Sequence, residues 1–144
     1  GKEIYDSYVV AGIPEGAGVA ESLPLWTEAN METFPAVVRQ TEGKISYATK
    51  LDELAEIDEL FHATLFMACD NTRLVEMART SCATISKYLY YQHWITMFTP
   101  REYADRHHAV AEAVYSRDVK HVETALRDHY KETGLRMAQF GKEA

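Results

Sequence analysis

The chain has 144 residues, of which 47% are hydrophobic and 26% charged, and its formal net charge is −7. This profile is typical of one globular domain and excludes a disordered chain. No run approaches the roughly 20 apolar residues of a membrane span, no export signal is visible, and the basic residues form no patch for nucleic acid. We therefore expect a cytoplasmic protein that binds no membrane, and no nucleic acid through this chain alone.

Apolar residues recur at helical spacing along most of the chain, and no stretch alternates convincingly as a β-strand would. The pattern therefore predicts an all-α bundle. In the first 25 residues, Pro14 and three glycines predict a helix that is kinked or broken near Pro14. Cap residues at Asn71, Thr99 and Asp118 help to place the later helices. The remaining helices are predicted at 28–40, 51–69, 72–97, 101–116 and 119–140.

Ionisable residues interrupt the apolar stripes of three predicted helices. Asp58 stands where the helix over 51–69 should place an apolar residue, and His62 follows one turn later. His107 and His129 lie on the stripes of the last two helices. Burying such groups without partners is costly, so they must pair with one another or share a cation.

The predicted helix packing brings these four residues together. His107 and His129 lie about ten positions before and about twelve after the turn at 117–118, so antiparallel packing brings them level. Asp58 and His62 project from one helix face. Three imidazoles and one carboxylate predict a site for one divalent transition metal ion with open positions. Zinc is the first choice, and nickel, manganese and iron remain alternatives.

Other histidines and acids near these positions have weaker support. His108 and His121 fall off the apolar stripes and are predicted on the surface, and His93 has no comparable pattern around it. Glu56 and Glu59 flank Asp58 and are expected to be solvated.

Two segments resemble a known family. DELFHATLFMACDN resembles the D-x-x-F-H-x-x-L…N segment of the FCD domain, the C-terminal ligand-sensing domain of GntR-type bacterial regulators of the FadR class. HHAVAEAVYSRDVKHVETALRDHY resembles its second segment, in which two histidines lie 22 positions apart. The resemblance covers about residues 4–140. It places the family's metal ligands on the residues that the stripes select, namely Asp58, His62, His107 and His129.

The resemblance implies an antiparallel bundle of six or seven helices, in which a buried metal helps to hold a small effector, often a carboxylate or sugar acid. Effector binding would alter the disposition of a preceding winged-helix domain that binds DNA. Nothing before residue 51 is basic or long enough to be that domain, so we expect residues 1–144 to form a single effector-binding domain without it. A homodimer is expected by analogy. Members with acidic effectors often carry an arginine shortly before a glutamate in the first helix, whereas here Ala11 precedes Glu15.

The helix over 72–97 has a polar face that can overlook the metal. Hydrogen bonds and one positive charge from this face would suit a bound anion. That the face is simply the solvated side of an amphipathic helix remains an alternative. The candidate effector-binding residues are Arg79, Ser86, Tyr90 and His93 on this helix, and Tyr103 one turn before His107.

The leading hypothesis is a metal-containing sensor domain without catalysis. A ferritin-like di-metal enzyme is the main alternative, because ELFH (59–62) fits its E-x-x-H element and DRHH (105–108) imitates it. That match fails in the last helix, where Ala125 and Leu126 stand in place of an acid. A hydrolase lacks H-E-x-x-H and a nucleophile motif. A structural dimer that uses metal only for folding is the third possibility.

Overall fold

The computed structural model describes residues 1–45, 51–85 and 97–143, without the side chains of 51–52 and 140–143. Over these ranges it contains six α-helices and no β-strand, which confirms the all-α prediction. A short 3₁₀ helix, Leu23–Leu25, follows the first of them. The α-helices are α1 (Lys2–Ser22), α2 (Glu28–Ile45), α3 (Leu51–Leu65), α4 (Thr72–Ile85), α5 (Pro100–Ser116) and α6 (Val119–Glu143).

The first helix was predicted to be kinked or broken near Pro14, and of these two alternatives the break is wrong. α1 continues through Pro14 from Lys2 to Ser22. An interior proline costs about 3 kcal/mol of helix stability. The buried face of α1, which includes Pro14 itself, packs against α6 and α4. Tertiary packing of a buried face usually outweighs local propensity, and here it keeps the helix intact.

Glycines allow α1 and α6 to lie unusually close together. A Cβ atom on Gly134 would lie 2.7 Å from Cβ of Tyr8, and one on Gly12 would lie 3.0 Å from Cβ of Tyr130. Larger side chains at these positions would force the helices apart. The glycines that weaken α1 as an isolated helix therefore set its distance from α6.

From residue 28 onward, the predicted helix boundaries that fall on described residues agree with the structure to within three residues at all but two ends. α2 extends to Ile45, five residues beyond the prediction, whereas α3 ends at Leu65 and a turn replaces its last predicted residues. α4 is described to Ile85, and the rest of the predicted helix over 72–97 lies largely outside the described residues. The three cap predictions hold: side-chain oxygens of Asn71, Thr99 and Asp118 accept backbone N–H bonds at 3.2, 3.1 and 3.1 Å.

Two apolar clusters form the described core and meet at His107. The first contains Phe61 and the second contains Tyr103. The ring of His107 lies 4.7 Å from Phe61 and 4.3 Å from Tyr103 between centroids. This histidine therefore occupies the junction of the two clusters, deep in the bundle.

The helices were also compared with the dimensions of a membrane. Among the described residues, none of the helices is both long enough and apolar enough to cross one.

Candidate metal centre and adjoining cavity

Three histidines from three helices meet inside the bundle. His62 lies on α3, His107 on α5 and His129 on α6, and one ring nitrogen of each lies within 4.8 Å of the others. The turn between α5 and α6 passes through Arg117, whose backbone is left-handed with φ of 56°. This tight turn folds α6 back along α5 and brings His107 level with His129, with ring centroids 5.3 Å apart.

Asp58 joins two of these imidazoles. Its Oδ1 atom lies 2.9 Å from Nε2 of His107 and 3.2 Å from Nε2 of His62, and the hydroxyl of Tyr103 donates to it at 3.1 Å. Burial opposes ionisation, but the charge of His62 and the hydrogen bonds from His107 and His62 hold the pKa of Asp58 well below its usual range. The group is therefore a carboxylate.

The far nitrogens of two imidazoles are held by hydrogen bonds. Nδ1 of His107 donates to the backbone carbonyl of Tyr103 at 2.8 Å, and Nδ1 of His62 donates to Oε1 of Glu15 at 2.5 Å. Each ring therefore presents Nε2 to the centre. A carbonyl or carboxylate behind the ring is the usual arrangement for a metal-binding histidine, because it fixes the tautomer and orientation.

The contacts of Asp58 with two imidazoles have the spacing of two ligands of one metal ion. Bonds of about 2.0–2.2 Å place two ligand atoms of one zinc-like ion roughly 2.9–3.5 Å apart. The two distances from Oδ1 of Asp58, 2.9 and 3.2 Å, fall in that range. Mixed nitrogen and oxygen ligands suit first-row divalent ions. The residues present therefore fit a divalent transition metal.

The surroundings of His62 and His129 shift the pKa values of these two histidines in opposite directions. Burial opposes the charge on His62, but Glu15 and Asp58 raise its pKa well above the usual value. Burial lowers the pKa of His129 well below the usual value, and the charges of Arg106, His107 and His62 lower it further. His129 is therefore neutral, whereas His62 would have to lose a proton before it could bind a metal ion.

Sequence reasoning missed Glu15 as part of this site. Its side chain is 1% exposed, and Oε2 has no hydrogen-bond partner among the described residues. A sequence signal existed, because Glu15 lies one turn from the buried residues Ala11 and Val19 on the inner face of α1. A kink or break at Pro14, as the sequence predicted, would have taken Glu15 off that face.

A cavity of about 590 Å³ adjoins the cluster, and walls from α1, α3, α4, α5 and α6 enclose it. All four predicted metal ligands line it. The other charged residues in the described lining are Glu15, Glu59, Arg79 and Arg106.

The predicted effector residues divide into two groups. Arg79 and Tyr103 line the cavity, Arg79 from an exposed position and Tyr103 from a buried one. Ser86, Tyr90 and His93 lie outside the described residues. Arg106, which the sequence analysis did not select, also lines the cavity.

The residues predicted on the surface lie there. His121, Glu56 and Glu59 are exposed, and Glu59 also reaches the cavity edge. His108 is exposed and pairs with Glu42 and Glu112 at 3.0 and 3.2 Å. The carboxylate of Asp105 is 72% exposed. In the ferritin-like alternative, residues 105–108 would imitate the E-x-x-H element of a second helix. Because the first and last side chains of this segment are exposed, they argue against the di-metal alternative.

Comparison with known proteins identifies one family. The model of the FCD domain matches residues 8–132, which include all four predicted metal ligands and Glu15. No curated protein and no solved structure matches the chain.

Proposed function

Because the chain belongs to the FCD domain family, we propose that it senses a small organic acid through a bound metal ion, in a GntR-type transcription regulator. FCD domains are regulatory, effector-binding domains and not enzymes. The proposal adds to the family assignment the metal, the class of effector and the residues that hold them.

One observation carries the proposal: three imidazoles meet, and a carboxylate joins two of them, on the wall of a cavity large enough for a metabolite. Asp58, His62, His107 and His129 would hold one divalent ion. When bound, the ion supplies positive charge and coordination positions for an oxygen of the effector. Zinc, nickel, manganese and iron all suit these ligands.

The neighbouring residues orient the ligands. Glu15 holds the ring of His62 from behind, and the backbone of Tyr103 does the same for His107. The hydroxyl of Tyr103 donates to Asp58 and so directs one carboxylate oxygen. These contacts fix the donor atoms before an ion arrives, which favours binding by reducing the ordering that binding requires.

The charge of the cavity favours an anion once the metal is present. Its described lining carries three carboxylates, Glu15, Asp58 and Glu59, against two arginines, Arg79 and Arg106. With neutral imidazoles, a divalent ion changes the net charge of this lining from negative to positive. An organic acid is therefore the favoured class of effector.

α1 offers a physical route from the effector to DNA binding. In the proposed regulator a winged-helix domain precedes α1, and α1 touches the metal ligand His62 through Glu15. Movement at the centre would therefore reach the helix nearest that domain. We also propose a cytoplasmic homodimer, for which the family is the support.

A thermal-shift screen tests the proposal. Metal-loaded and metal-stripped protein are heated with a panel of mono- and dicarboxylic acids, and His107→Ala is the metal-deficient control. We expect at least one acid to raise the Tm of the loaded protein alone, because the ion holds the acid. An equal shift in stripped protein, no shift with any acid, or two metal ions per chain would each contradict it.

A further inference from the structure

We propose that Arg106 selects the effector, and that the effector is a dicarboxylic acid with one carboxylate at the metal and the other on the guanidinium of Arg106. This inference rests on the proposed function and deepens it by naming the class of acid and the residue that recognises it.

Arg106 is held in a fixed position by its neighbours. Nη2 donates to the backbone carbonyl of His129 at 2.6 Å and to Oγ1 of Thr133 at 2.5 Å, and Nε donates to Glu132 at 3.4 Å. The guanidinium also stacks on the ring of Phe98, 4.3 Å from its centroid. A guanidinium fixed in this way loses little conformational entropy when it binds a ligand.

One end of this guanidinium remains available. The hydrogen bonds above use Nε and Nη2, so the two N–H groups of Nη1 have no partner among the described residues. The side chain is only 11% exposed, and Arg106 lines the cavity. A buried guanidinium whose donors are incompletely used gains most from a carboxylate, because charge-assisted hydrogen bonds are the stronger kind.

Arg106 lies beside the histidine cluster, and this position favours a ligand with two acidic groups. Arg106 donates to the backbone carbonyl of His129, and the imidazole of His129 belongs to the histidine cluster, so the guanidinium lies next to a residue that would bind the ion. A single carboxylate at the metal would leave Nη1 without an anion. Two carboxylates joined by a short carbon chain can satisfy both the ion and Nη1.

The other residues near the cavity give no better site for the second carboxylate of the effector. Arg79 also lines the cavity, but it is exposed, so water screens its charge. Ala11 is fully buried in the second apolar cluster and supplies no charge from α1. Glu132 does not neutralise Arg106 strongly, since its side chain is 48% exposed and the ion pair is 3.4 Å long.

Calorimetric titration of the metal-loaded protein with succinate and succinamate tests the inference. The two probes have nearly the same size, but succinamate replaces one carboxylate with a neutral amide. We expect succinate to bind about tenfold more tightly or better, as one charge-assisted bond in a partly buried site provides. Arg106→Met should remove this preference, because methionine keeps much of the bulk without the charge.

Arg136→Met is the matched control. Arg136 also stacks on Phe98, 4.4 Å from the centroid of its ring, and it also pairs with Glu132. It is not part of the described cavity lining. This variant should keep the preference for succinate, so loss of stacking or of the Glu132 pair alone cannot imitate the expected result.

Arg106→Lys covers the case in which the methionine variant does not fold. Lysine keeps a charge but cannot hold the backbone of His129 and a ligand through a planar fork, so succinate affinity should fall several-fold. Unchanged affinity in a folded, metal-loaded Arg106 variant, or equal binding of the two probes by the parent protein, overturns this inference alone. Absence of binding by every mono- and dicarboxylic acid overturns the proposed function as well.

Discussion

Two adjacent histidines on α5 have opposite surroundings. His107 is 2% exposed and joins Asp58 and the backbone of Tyr103, whereas the side chain of His108 is 52% exposed and lies between Glu42 and Glu112. Both imidazoles contact carboxylates at about the same distance, 2.9 Å for His107 and 3.0 Å for the nearer contact of His108. A histidine–carboxylate contact therefore does not by itself mark a metal site.

The difference lies in what else converges on each ring. One helical position turns a side chain by about 100°, which directs His107 into the bundle and His108 into solvent. Inside, His107 meets two more imidazoles, and its own side chain is only 3% exposed. Outside, water screens the contacts of His108, and such exposed pairs add little stability.

Replacing His107 and His108 in turn should give the largest difference in metal affinity. His107→Ala should lower metal affinity by more than about 100-fold, since losing a ligand costs more than losing an orienting partner. The helical circular-dichroism spectrum should persist, because the remaining apolar stripe still drives folding. Metal content, measured by elemental analysis after dialysis, is the readout.

His108→Ala is the control for that measurement, and it should retain one ion per chain. Full metal occupancy in both His107→Ala and the corresponding His129→Ala variant would refute the centre.

The partners behind the rings provide a second, smaller contrast. Glu15→Gln keeps the shape and can still accept from Nδ1 of His62, but it removes the charge. Metal affinity should fall about 10- to 100-fold, the usual effect of changing a residue that orients a ligand. Glu112→Gln changes a carboxylate partner of the exposed His108 and should leave metal affinity unchanged. Equal affinities in the two variants would mean that Glu15 does not orient the centre.

A change of one pH unit should alter metal affinity less than the substitutions of His107 and Glu15 do. His62 has a raised pKa, so the ion must displace one proton, whereas His129 is already neutral. Affinity should therefore rise about tenfold per pH unit from pH 6.5 up to the raised pKa of His62. Competition titrations with a chelator at several pH values measure this slope.

The raised pKa of His62 also makes the stability of the ion-free protein depend on pH. In the ion-free protein, protonated His62 stabilises the fold fully below pH 6.5, and this contribution is lost as the pH rises through the raised pKa. The metal supplies stability in the opposite direction, so it should raise Tm more at pH 8 than at pH 6. His108→Ala should show the same difference, and an increase that does not vary with pH would contradict the assignment of His62 as a ligand.

Much of this architecture was predictable because it depends on local patterns. Helical periodicity placed α5 within one residue at its start, and the cap at Thr99 is present with a reciprocal contact from Glu102. Periodicity also separated His107 from His108, since the phase of a helix is a property of its sequence. The sequence analysis selected the four residues that the structure brings together, and metal binding by them remains a prediction.

Other features depend on contacts between distant segments and could not be predicted from local patterns. The continuity of α1 through Pro14 depends on its packing against α6 and α4. The reach of Glu15 to His62 spans 47 positions in the chain. Arg106 carries no helical-phase signal that distinguishes it from a surface arginine. Its contacts with other parts of the chain, among them Thr133 and Phe98, hold it against the cavity.

The sequence by itself determined which face of α3, α5 and α6 turns inward, because side-chain direction follows from periodicity and from where helices begin. Tertiary structure alone decided which inward groups meet, since that depends on the close approach of α1 to α6 at Gly134 and on the contact of Asp58 on α3 with His107 on α5. A glutamate, an aspartate and three histidines far apart in the chain become one electrostatic unit for that reason: charges interact strongly only when they are brought close together and removed from water.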